Sequence, residues 1–312
     1  MDAQVETRGR LDEDDTAAVL ALVDAATAAD GVRPLNEHVM LHLLHGGDER
    51  AKAVLLRAPD GSVAGFAHLD PADDADDADD ADDADDAEGP SGELVVHPAW
   101  RGRGYGGALL AAVLAEAGGR LRLWAHGDLP AAGRLAASAG LTRVRSLWRM
   151  RRSLSEPLPD FGPPAGVRLR TFVPGQDERE WLALNARAFA DHPEQGAWTL
   201  DDLKLREQEE WFDPAGFFLA ERDGGLVGFH WTKVHAGGED GPIGEVYVVG
   251  VDPGRQGGGL GRALTLAGLH HLRDRGLAQV MLYVDEANQA AIKVYERLGF
   301  ARWDTDVMYR KG

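Results

Sequence analysis

Two glycine-rich loops with the same spacing are the segments of this chain best suited to chemistry. The first covers residues 101–106 and the second residues 256–261, and each has the pattern Arg/Gln-x-x-Gly-x-Gly. An apolar strand pattern and a proline precede each loop, and a helical pattern follows it. Glycine lets a ligand approach the backbone closely, and a helix start offers unpaired N–H groups and a positive dipole. Both loops therefore suit a phosphate or pyrophosphate group.

The repetition of this strand, loop and helix indicates a duplicated domain, and a length of 312 residues suggests about two domains. The segment over residues 154–166 carries four prolines and predicts a linker. We therefore expect an N-terminal domain over residues 1–153 and a C-terminal domain over residues 167–312.

Two other phosphate-binding motifs fit less well. A Walker loop needs Gly-Lys-Ser/Thr, which neither copy has. The dinucleotide-binding pattern Gly-x-Gly-x-x-Gly occurs at Gly102, Gly104 and Gly107, but it is missing from the second copy. No ribose-binding acid about 20 residues further on is evident, so this pattern alone is weak.

Hydrophobic periodicity predicts the same order of elements in both halves. In the second half it predicts strands over residues 167–172, 217–221, 226–233, 245–251, 280–284 and 307–310, and helices over residues 177–189, 200–211, 260–275 and 289–298. In the first half it predicts strands over residues 53–57, 63–69 and 121–125. The pattern is that of an α/β (α+β) fold with a hairpin-rich sheet.

The net charge of −19 comes largely from one segment, since residues 73–88 contain ten aspartates and Glu88. A block of like charges cannot bury apolar surface, so we expect a disordered low-complexity insert over residues 72–88. Expansion of a loop by repeat slippage explains it better than an acidic interaction tail. The acidic balance makes nucleic acid a poor partner.

Cysteine is absent, which excludes disulfides, thiolate metal sites and a cysteine nucleophile. No apolar run approaches the roughly 20 residues that span a bilayer, and the N-terminus lacks the apolar core of a signal peptide. We expect a cytoplasmic monomer with no membrane partner, its two domains forming an intramolecular pseudo-dimer.

The second half resembles the GNAT acetyltransferase superfamily along its whole length. The resemblance rests on the strand and proline at residues 249–253, the loop at residues 256–261, and the closing pattern Asn288-x-x-Ala291-x-x-x-Tyr295-x-x-x-Gly299-Phe300. It implies two tandem GNAT domains, each a mixed, largely antiparallel sheet flanked by helices. It also implies acetyl-CoA as the acetyl donor, with a site for it in each domain.

The resemblance carries over the acetyl-CoA contacts position by position. In the first half they are Leu94, Val95, Val96, Gly102, Arg103, Gly104, Tyr105, Gly106 and Gly107. In the second half they are Val249, Gly250, Val251, Gln256, Gly257, Gly258, Gly259, Leu260, Gly261, Arg262, Asn288, Gln289, Ala290, Ala291, Ile292 and Lys293. The strand at residues 249–251 is expected to splay from its neighbour and expose its backbone to the pantetheine and the thioester.

Acetyl transfer to an amine needs a base for the ammonium, a donor for the oxyanion and a proton for the leaving thiolate. The resemblance makes Tyr295 the acid and Glu245 the base, acting through water. Ala136 and Leu129 occupy the first-half positions of Tyr295 and Asn288, so we expect the first domain to be catalytically degenerate. Taken alone, Tyr295 would be a core aromatic residue and Glu245 a solvated strand-end residue.

A narrower resemblance is to tandem GNAT enzymes that acetylate the cysteinyl amine of a cysteine–glucosamine–inositol pseudodisaccharide. It rests on residues 36–38, 192–196 and 244–253. The substrate-binding residues that it implies are Glu37, Glu194, Lys233, Glu245 and Tyr283. Since Glu37 lies in the first half, the substrate would lie between the domains. Individually, these residues would be ordinary surface groups.

Three histidines, His38, His42 and His45, share one helical face, which is a pattern that zinc sites use. No His-Glu-x-x-His order or supporting acid accompanies them. We therefore expect solvated or packed histidines and no metal.

Two alternatives to this function stay open. One is a tandem GNAT enzyme acting on another small amine or on a peptide N-terminus. The other is a non-catalytic acetyl-CoA-binding sensor, which would fit the first half but is disfavoured by Tyr295 and Glu245 in the second.

Overall fold

A computed structural model of the chain describes residues 4–71, 89–190, 193–238 and 241–312. The predicted acidic insert at residues 72–88 lies outside the described residues. The chain divides into two compact units, the first formed by residues 1–147 and 304–312 and the second by residues 148–303. Among the helices of the described part, none has the length and apolar composition of a membrane span.

The strands, in chain order, are β1 (Gln4–Arg8), β2 (Lys52–Arg57), β3 (Val63–Asp70), β4 (Ser91–Val96), β5 (Leu121–Ala125), β6 (Thr142–Ser153), β7 (Arg168–Thr171), β8 (Phe217–Arg222), β9 (Gly225–Gly238), β10 (Gly241–Val251), β11 (Gln279–Asp285) and β12 (Ala301–Lys311). The α-helices are α1 (Glu13–Asp30), α2 (Glu37–His45), α3 (Tyr105–Glu116), α4 (Pro130–Ser138), α5 (Glu178–Ala188), α6 (Pro193–Gly196), α7 (Leu200–Glu207), α8 (Leu260–Asp274) and α9 (Gln289–Arg297).

The sheet of the first unit has the strand order β1-β2-β3-β4-β5-β12. Only β4 and β5 pair in parallel, and the other neighbours are antiparallel. Helix α1 begins at Asp12, whose side chain accepts from the Asp15 N–H, and ends at Gly31 in a left-handed conformation. One cluster of buried side chains joins α1 and α2 to the sheet, and a second joins α3 and α4 to it.

The sheet of the second unit has the order β6-β11-β10-β9-β8-β7, again with one parallel pair, β10 and β11, while the pairs from β10 to β7 are antiparallel. Part of its core is aromatic. Trp181 packs edge-on against Phe217, Phe229 and Trp231, and the rings of Phe217 and Trp231 stack with their centroids 4.5 Å apart. Such ring pairs add stability beyond the area that they bury.

The predicted α/β class and the mixed, largely antiparallel sheets are confirmed. Strands β8 and β9 form a hairpin whose turn residues, Asp223 and Gly224, have the positive φ angles, 55° and 83°, that a two-residue turn of this kind requires. The helix predicted over residues 200–211 is shorter and ends at Glu207. The strand predicted over residues 226–233 is longer and extends to Gly238.

The limits of the two compact units differ from the predicted domain limits at strands β6 and β12. Residues 148–153, the second part of β6, group with the second unit, and residues 304–312, the end of the chain, group with the first. The segment predicted as a linker packs on the second unit. Leu154 and Leu158 are buried in its core, and the Leu154 N–H donates to the carbonyl of Ala278 at 2.8 Å. The two leucines pack in the core because their side chains are apolar. The prolines around them disfavour regular secondary structure but do not prevent this burial.

A buried charged network ties the final strand into the first unit. His126 lies between two carboxylates, with Nε2 3.0 Å from Glu93 Oε1 and Nδ1 3.0 Å from Asp306 Oδ2. The second oxygen of Glu93 accepts from the Asn36 N–H, and that of Asp306 accepts from the Gly127 N–H. Burial alone would lower the pKa of His126, but the two carboxylates outweigh it and raise the pKa to about 10.

This network predicts how stability depends on pH. Because the pKa of His126 is higher in the folded chain than in the unfolded chain, its contribution is complete below about pH 6.5 and is lost as the pH rises towards 10. We expect the free energy of unfolding, measured by urea denaturation at pH 6, 8 and 10, to fall with pH. The fall should be shallower in His126→Gln than in wild type. A change at the exposed His45, His45→Gln, should keep the wild-type slope, and equal slopes in all three proteins would contradict the assignment.

Candidate active site

The second glycine loop leads directly into helix α8. A short 3₁₀ turn over Pro253–Arg255 precedes it, and Gly257, Gly258 and Gly259 all have positive φ angles between 61° and 91°. These conformations favour glycine, which explains the triple glycine. Gly259 is the N-cap of α8 and provides no capping side chain, so the first N–H groups of the helix remain available to an anion.

Strand β10 diverges from its parallel neighbour β11 just before this loop. The two strands pair only over Gly244–Val246 and Val280–Leu282, whereas β10 stays paired with β9 as far as Val251. The divergence implied by the family resemblance is therefore present. It leaves the β11 side of Val249–Val251 without a strand partner in the described residues. A Cβ built on Gly261 would lie 3.7 Å from Val251, so this strand end adjoins the start of α8.

The first unit repeats this arrangement at its own loop. Strand β4 pairs with β5 only over Ser91–Glu93, so Leu94–Val96 diverge in the same way. Gly102 and Gly104 have positive φ angles, and Gly104 is the N-cap of α3, again without a capping side chain. The backbone features of an anion site are therefore present in both units.

Arg101, the first residue of that loop, directs its guanidinium to other residues of the first unit. Its guanidinium forms a two-bond ion pair with Asp30 at 2.6 and 2.7 Å, and its Nε donates to the carbonyl of Val96. Arg101 thereby fixes the loop to the end of α1 and to the end of β4. In the second copy the neutral Gln256 occupies this position.

Glu245 is buried on β10, and its carboxylate is bound by a histidine. The distance from Glu245 Oε2 to His235 Nε2 is 2.6 Å, and the His235 side chain is one-third exposed. The β9–β10 register places Lys233 directly opposite Glu245, so the two side chains share a sheet face. His235, two residues along β9, is on that face as well. No sequence motif singles out His235.

Aromatic rings surround the ammonium of Lys233. Its Nζ lies 4.2 Å from the ring centre of Trp211 and 5.0 Å from that of Tyr247. The Tyr247 hydroxyl accepts from Arg206, whose guanidinium stacks 4.0 Å from the centre of the Trp198 ring. Cation–π contacts of this kind stabilise partly desolvated cations. They hold Lys233 and Arg206 in a largely apolar wall beside Glu245.

Tyr295 lies on α9 within the core of the second unit. Its ring packs edge-on against Phe300 with the centroids 5.8 Å apart, as the sequence had indicated for a core aromatic residue. Burial raises the pKa of Tyr295 to about 12, so the hydroxyl remains protonated at neutral pH. A protonated phenol is the form that a general acid requires.

Asn288 and the residues that follow it form the start of α9. The Asn288 side chain accepts from the Ala291 N–H at 3.1 Å and so caps the helix. The predicted acetyl-CoA contacts Gln289–Lys293 are the first turn of that helix. In the first unit the corresponding Leu129 cannot cap α4, and Ala136 fills the position of Tyr295 as a buried core residue.

The remaining predicted substrate residues are distributed as follows. Tyr283 is exposed on β11, and since Glu245 pairs with Met281, strand alternation puts Tyr283 on the sheet face of Glu245. Glu194 lies in the short helix α6, with its side chain outside the described part of the structure. Glu37 is the first residue of α2 in the first unit, after the N-cap Asn36. The structure thus brings Lys233, Glu245 and Tyr283 to one face.

The histidines of α2 have partners that the sequence did not indicate. His38 lies against Asp70, and the ring of His42 packs against that of His68 on β3, with centroids 4.6 Å apart. His45 is exposed at the end of the helix. The three residues of the helical face therefore do not form one group.

Comparison with known proteins identifies the class. The model described as "Acetyltransferase (GNAT) family" matches residues 180–300, and the model described as "Acetyltransferase (GNAT) domain" matches residues 51–139. The fold, the two glycine loops and these matches define an acetyltransferase with two tandem GNAT domains.

Relatives at high identity make the assignment narrower. The mycothiol acetyltransferase of Streptosporangium roseum is 62% identical, with 100% of both chains covered. The mycothiol acetyltransferase of Thermobispora bispora is 67% identical over 299 residues, which are 95% of this chain and 96% of the relative. The chain belongs to the GNAT family and to the group of tandem-domain enzymes that these relatives represent.

Solved structures agree on the fold. A GCN5-related N-acetyltransferase from Sphaerobacter thermophilus is 28% identical, with a TM-score of 0.69 over 98% of this chain and 95% of that one. A tandem GNAT protein from the clavulanic acid biosynthesis pathway has a TM-score of 0.73 at 20% identity, with 99% and 98% covered, and at that identity the likeness shows the fold alone.

The open N-terminus of α8 gives a test of the second loop. We expect Gly259→Asp to abolish binding of coenzyme A at this loop and to abolish turnover, because the added carboxylate repels a pyrophosphate and fills the space beside the free N–H groups. Aspartate tolerates positive φ better than most residues, so the chain should still fold.

Gly276 provides the matched control at the other end of the same helix. Its φ is 84°, close to the 82° of Gly259, and a Cβ built there meets nothing within 4 Å. Gly276→Asp should keep coenzyme A binding, measured by isothermal titration calorimetry, and turnover. If both variants lose binding equally, the loss comes from backbone strain and not from the loop.

Proposed function

We propose that the chain transfers the acetyl group of acetyl-CoA to the cysteinyl amine of cysteinyl-glucosaminyl-inositol, giving mycothiol. The full-length identity to mycothiol acetyltransferases supports this substrate. The observation that carries the reaction is the pairing of a buried carboxylate, Glu245, with His235 on the sheet that leads into the open N-terminus of α8.

Acetyl-CoA would fit the second unit through the backbone. The N–H groups at Gly259–Arg262 would bind its pyrophosphate, and the unpaired edge of Val249–Val251 would bind the pantetheine and orient the thioester carbonyl. Acetyl-CoA supplies the activated acetyl group. The residues of the chain then have two tasks, which are to take a proton from the amine and to return one to the sulfur.

Glu245 is suited to the first task. Its carboxylate accepts a proton from the ammonium, directly or through one water, and His235 holds the carboxylate in place and reaches the solvent with its exposed ring face. Lys233, held by Trp211 and Tyr247, would bind hydroxyl groups of the sugar or inositol rings. Tyr283 and Glu37 are further proposed substrate contacts.

Tyr295 is suited to the second task. Because its hydroxyl stays protonated, it can donate to the thiolate of coenzyme A as the carbon–sulfur bond breaks. Ala136 leaves the first unit without this donor, so we assign the first unit a binding role without chemistry. Its loop and the divergence at Leu94–Val96 would still hold coenzyme A and stabilise the fold by mass action.

The proposed substrate is tested by mass spectrometry of the products. Purified enzyme supplied with acetyl-CoA and cysteinyl-glucosaminyl-inositol should add one acetyl group, and fragmentation should locate it on the cysteine nitrogen. Amines that lack the inositol ring should be acetylated with a much lower kcat/KM. Efficient acetylation of such amines or of peptide N-termini, with none of the pseudodisaccharide, would favour the alternative substrates.

For the acid, we expect Tyr295→Phe to lower kcat by roughly 10²- to 10⁴-fold while coenzyme A binding is retained, because only the hydroxyl is lost. The loss should be similar from pH 6 to pH 9, since the pKa of Tyr295 lies above this range. Tyr309→Phe is the matched control, because Tyr309 is also buried with a raised pKa but lies on β12 in the first unit. An unchanged kcat in Tyr295→Phe would exclude the acid role.

For the base, we expect Glu245→Gln to lower kcat/KM by about 10²-fold at pH 7 and by less at pH 9, where more of the amine is already deprotonated. His235→Gln should give a smaller loss with the same pH trend. Glu221→Gln on β8, whose carboxylate pairs with Arg168 and Arg170, serves as the control. A loss that does not vary with pH would mean that Glu245 binds substrate and does not accept the proton.

A further inference from the structure

A helix and a strand of the first unit bring two histidines and an aspartate together outside the acetyl-transfer site. His38 and His42 are four residues apart on α2 and so lie on one helix face. His68 and Asp70 are two residues apart on β3 and so lie on one strand face. Apolar side chains of α2 and β3, among them Val39 and Phe66, pack in one core cluster, which places these two faces against each other.

One side-chain atom from each of His38, His68 and Asp70 lies at a spacing close to that of the ligand atoms of a metal site. Asp70 Oδ1 lies 3.1 Å from His38 Nε2 and 2.9 Å from His68 Nε2, and all three atoms lie within 4.8 Å of one another. Around zinc, with bond lengths of about 2.0–2.1 Å, tetrahedral ligand atoms are about 3.3 Å apart. Small side-chain rotations would therefore bring all three to coordination distance.

We propose that His38, His68 and Asp70 bind a divalent transition metal of the zinc class. Two imidazoles and one carboxylate form a mixed nitrogen and oxygen donor set that suits Zn²⁺. Each ring coordinates through Nε2 once its proton is carried by Nδ1, and the cation replaces the two contacts that the rings make to Asp70. With three protein ligands, the fourth position is open to water.

The surroundings differ on the two sides of this site. The side chain of His38 is 51% exposed, which gives a cation access from solvent, whereas that of His68 is 1% exposed and is held rigidly. His42 packs on the His68 ring, and its Nδ1 is a buried atom without a hydrogen-bond partner in the described residues. A cavity of about 390 Å³ is lined in part by His42 and His68 and lies behind the site.

A cation bound here would join α2 to β3 immediately after Glu37. Hydrogen bonds from the Asn36 N–H to Glu93 and from the Val39 N–H to the Asn36 side chain also hold the N-terminus of α2. Metal binding would therefore stabilise the first unit and restrict the start of α2. This inference does not depend on the proposed acetyl transfer.

The test uses the full-length chain, stripped with EDTA and titrated with Zn²⁺ by calorimetry, with Co²⁺ as a spectroscopic probe. Wild type should bind one Zn²⁺ per chain, with a rise in melting temperature, and Co²⁺ should give the visible absorption bands of four- or five-coordinate geometry. His38→Ala and Asp70→Asn should each weaken Zn²⁺ binding by ten-fold or more. His38 is exposed and Asn is isosteric with Asp, so both variants should fold.

His45→Ala is the matched control, because His45 is an exposed histidine of the same helix outside the ligand group. It should bind Zn²⁺ with wild-type affinity. The proposal would be overturned by the absence of stoichiometric binding. It would equally be overturned by binding that survives in both ligand variants, or that His45→Ala weakens as much as His38→Ala does, because surface histidines would then account for it.

Discussion

The divergence of two parallel strands is the constraint on which the candidate active site depends. Parallel pairing of β10 and β11 ends at Val246 and Leu282, and residues 249–251 of β10 have no strand partner on that side in the described part of the chain. Buried backbone groups normally require partners, so an unpaired edge of this kind is costly unless a ligand or water satisfies it. Helix α8 begins beside the same strand end, and together they offer donors to a thioester and to a phosphate.

The β9–β10 pair is irregular at the same point of β10. The register of β9 and β10 shifts between Val246 and Val248, so Tyr247 leaves the regular alternation at the point where β11 separates. Its hydroxyl then reaches Arg206, and its ring contacts Lys233. The register shift at Tyr247 thus places an aromatic ring beside Lys233 and Glu245, at the point where β11 separates from β10.

The sequence was sufficient for the two glycine loops and for most regular elements of the second half, because their signals are local. Helix α8 has a strong apolar periodicity and ends near Gly276, and it was predicted to within one residue. Residues 154–166 were predicted as a linker without the packing that the structure shows, since prolines report on local conformation while the burial of Leu154 and Leu158 depends on distant residues. Residues 304–312 group with the first unit because β12 pairs with β5, which is far away along the chain. No local sequence pattern indicates this pairing.

The same limit explains what was missed at the site. Tyr295 and Glu245 were predicted as site residues through a resemblance in spacing, which reports on motifs along the chain. His235 binds Glu245 only because of the β9–β10 register, which a sequence does not specify where a strand contains irregularities. Similarly, the sequence indicated only a helical face shared by His38, His42 and His45. The contacts of His38 and His42 with β3 became visible only once α2 was packed on that strand.

The proposed roles of Tyr295 and Ala136 would explain how a duplicated domain can lose chemistry and keep its fold. Both residues fill a core position on the last helix of their unit, between the sheet and the helix that follows the glycine loop. At Tyr295 the burial that contributes to packing also keeps the hydroxyl protonated, so one side chain would serve both the core and the proposed proton transfer. Replacing such a residue by alanine removes the proton donor but leaves an apolar core, which the neighbouring Tyr309 and Leu135 help to fill. The glycine loop and the strand divergence depend on backbone conformation alone, so they are present in the first unit although it has alanine at the position of Tyr295.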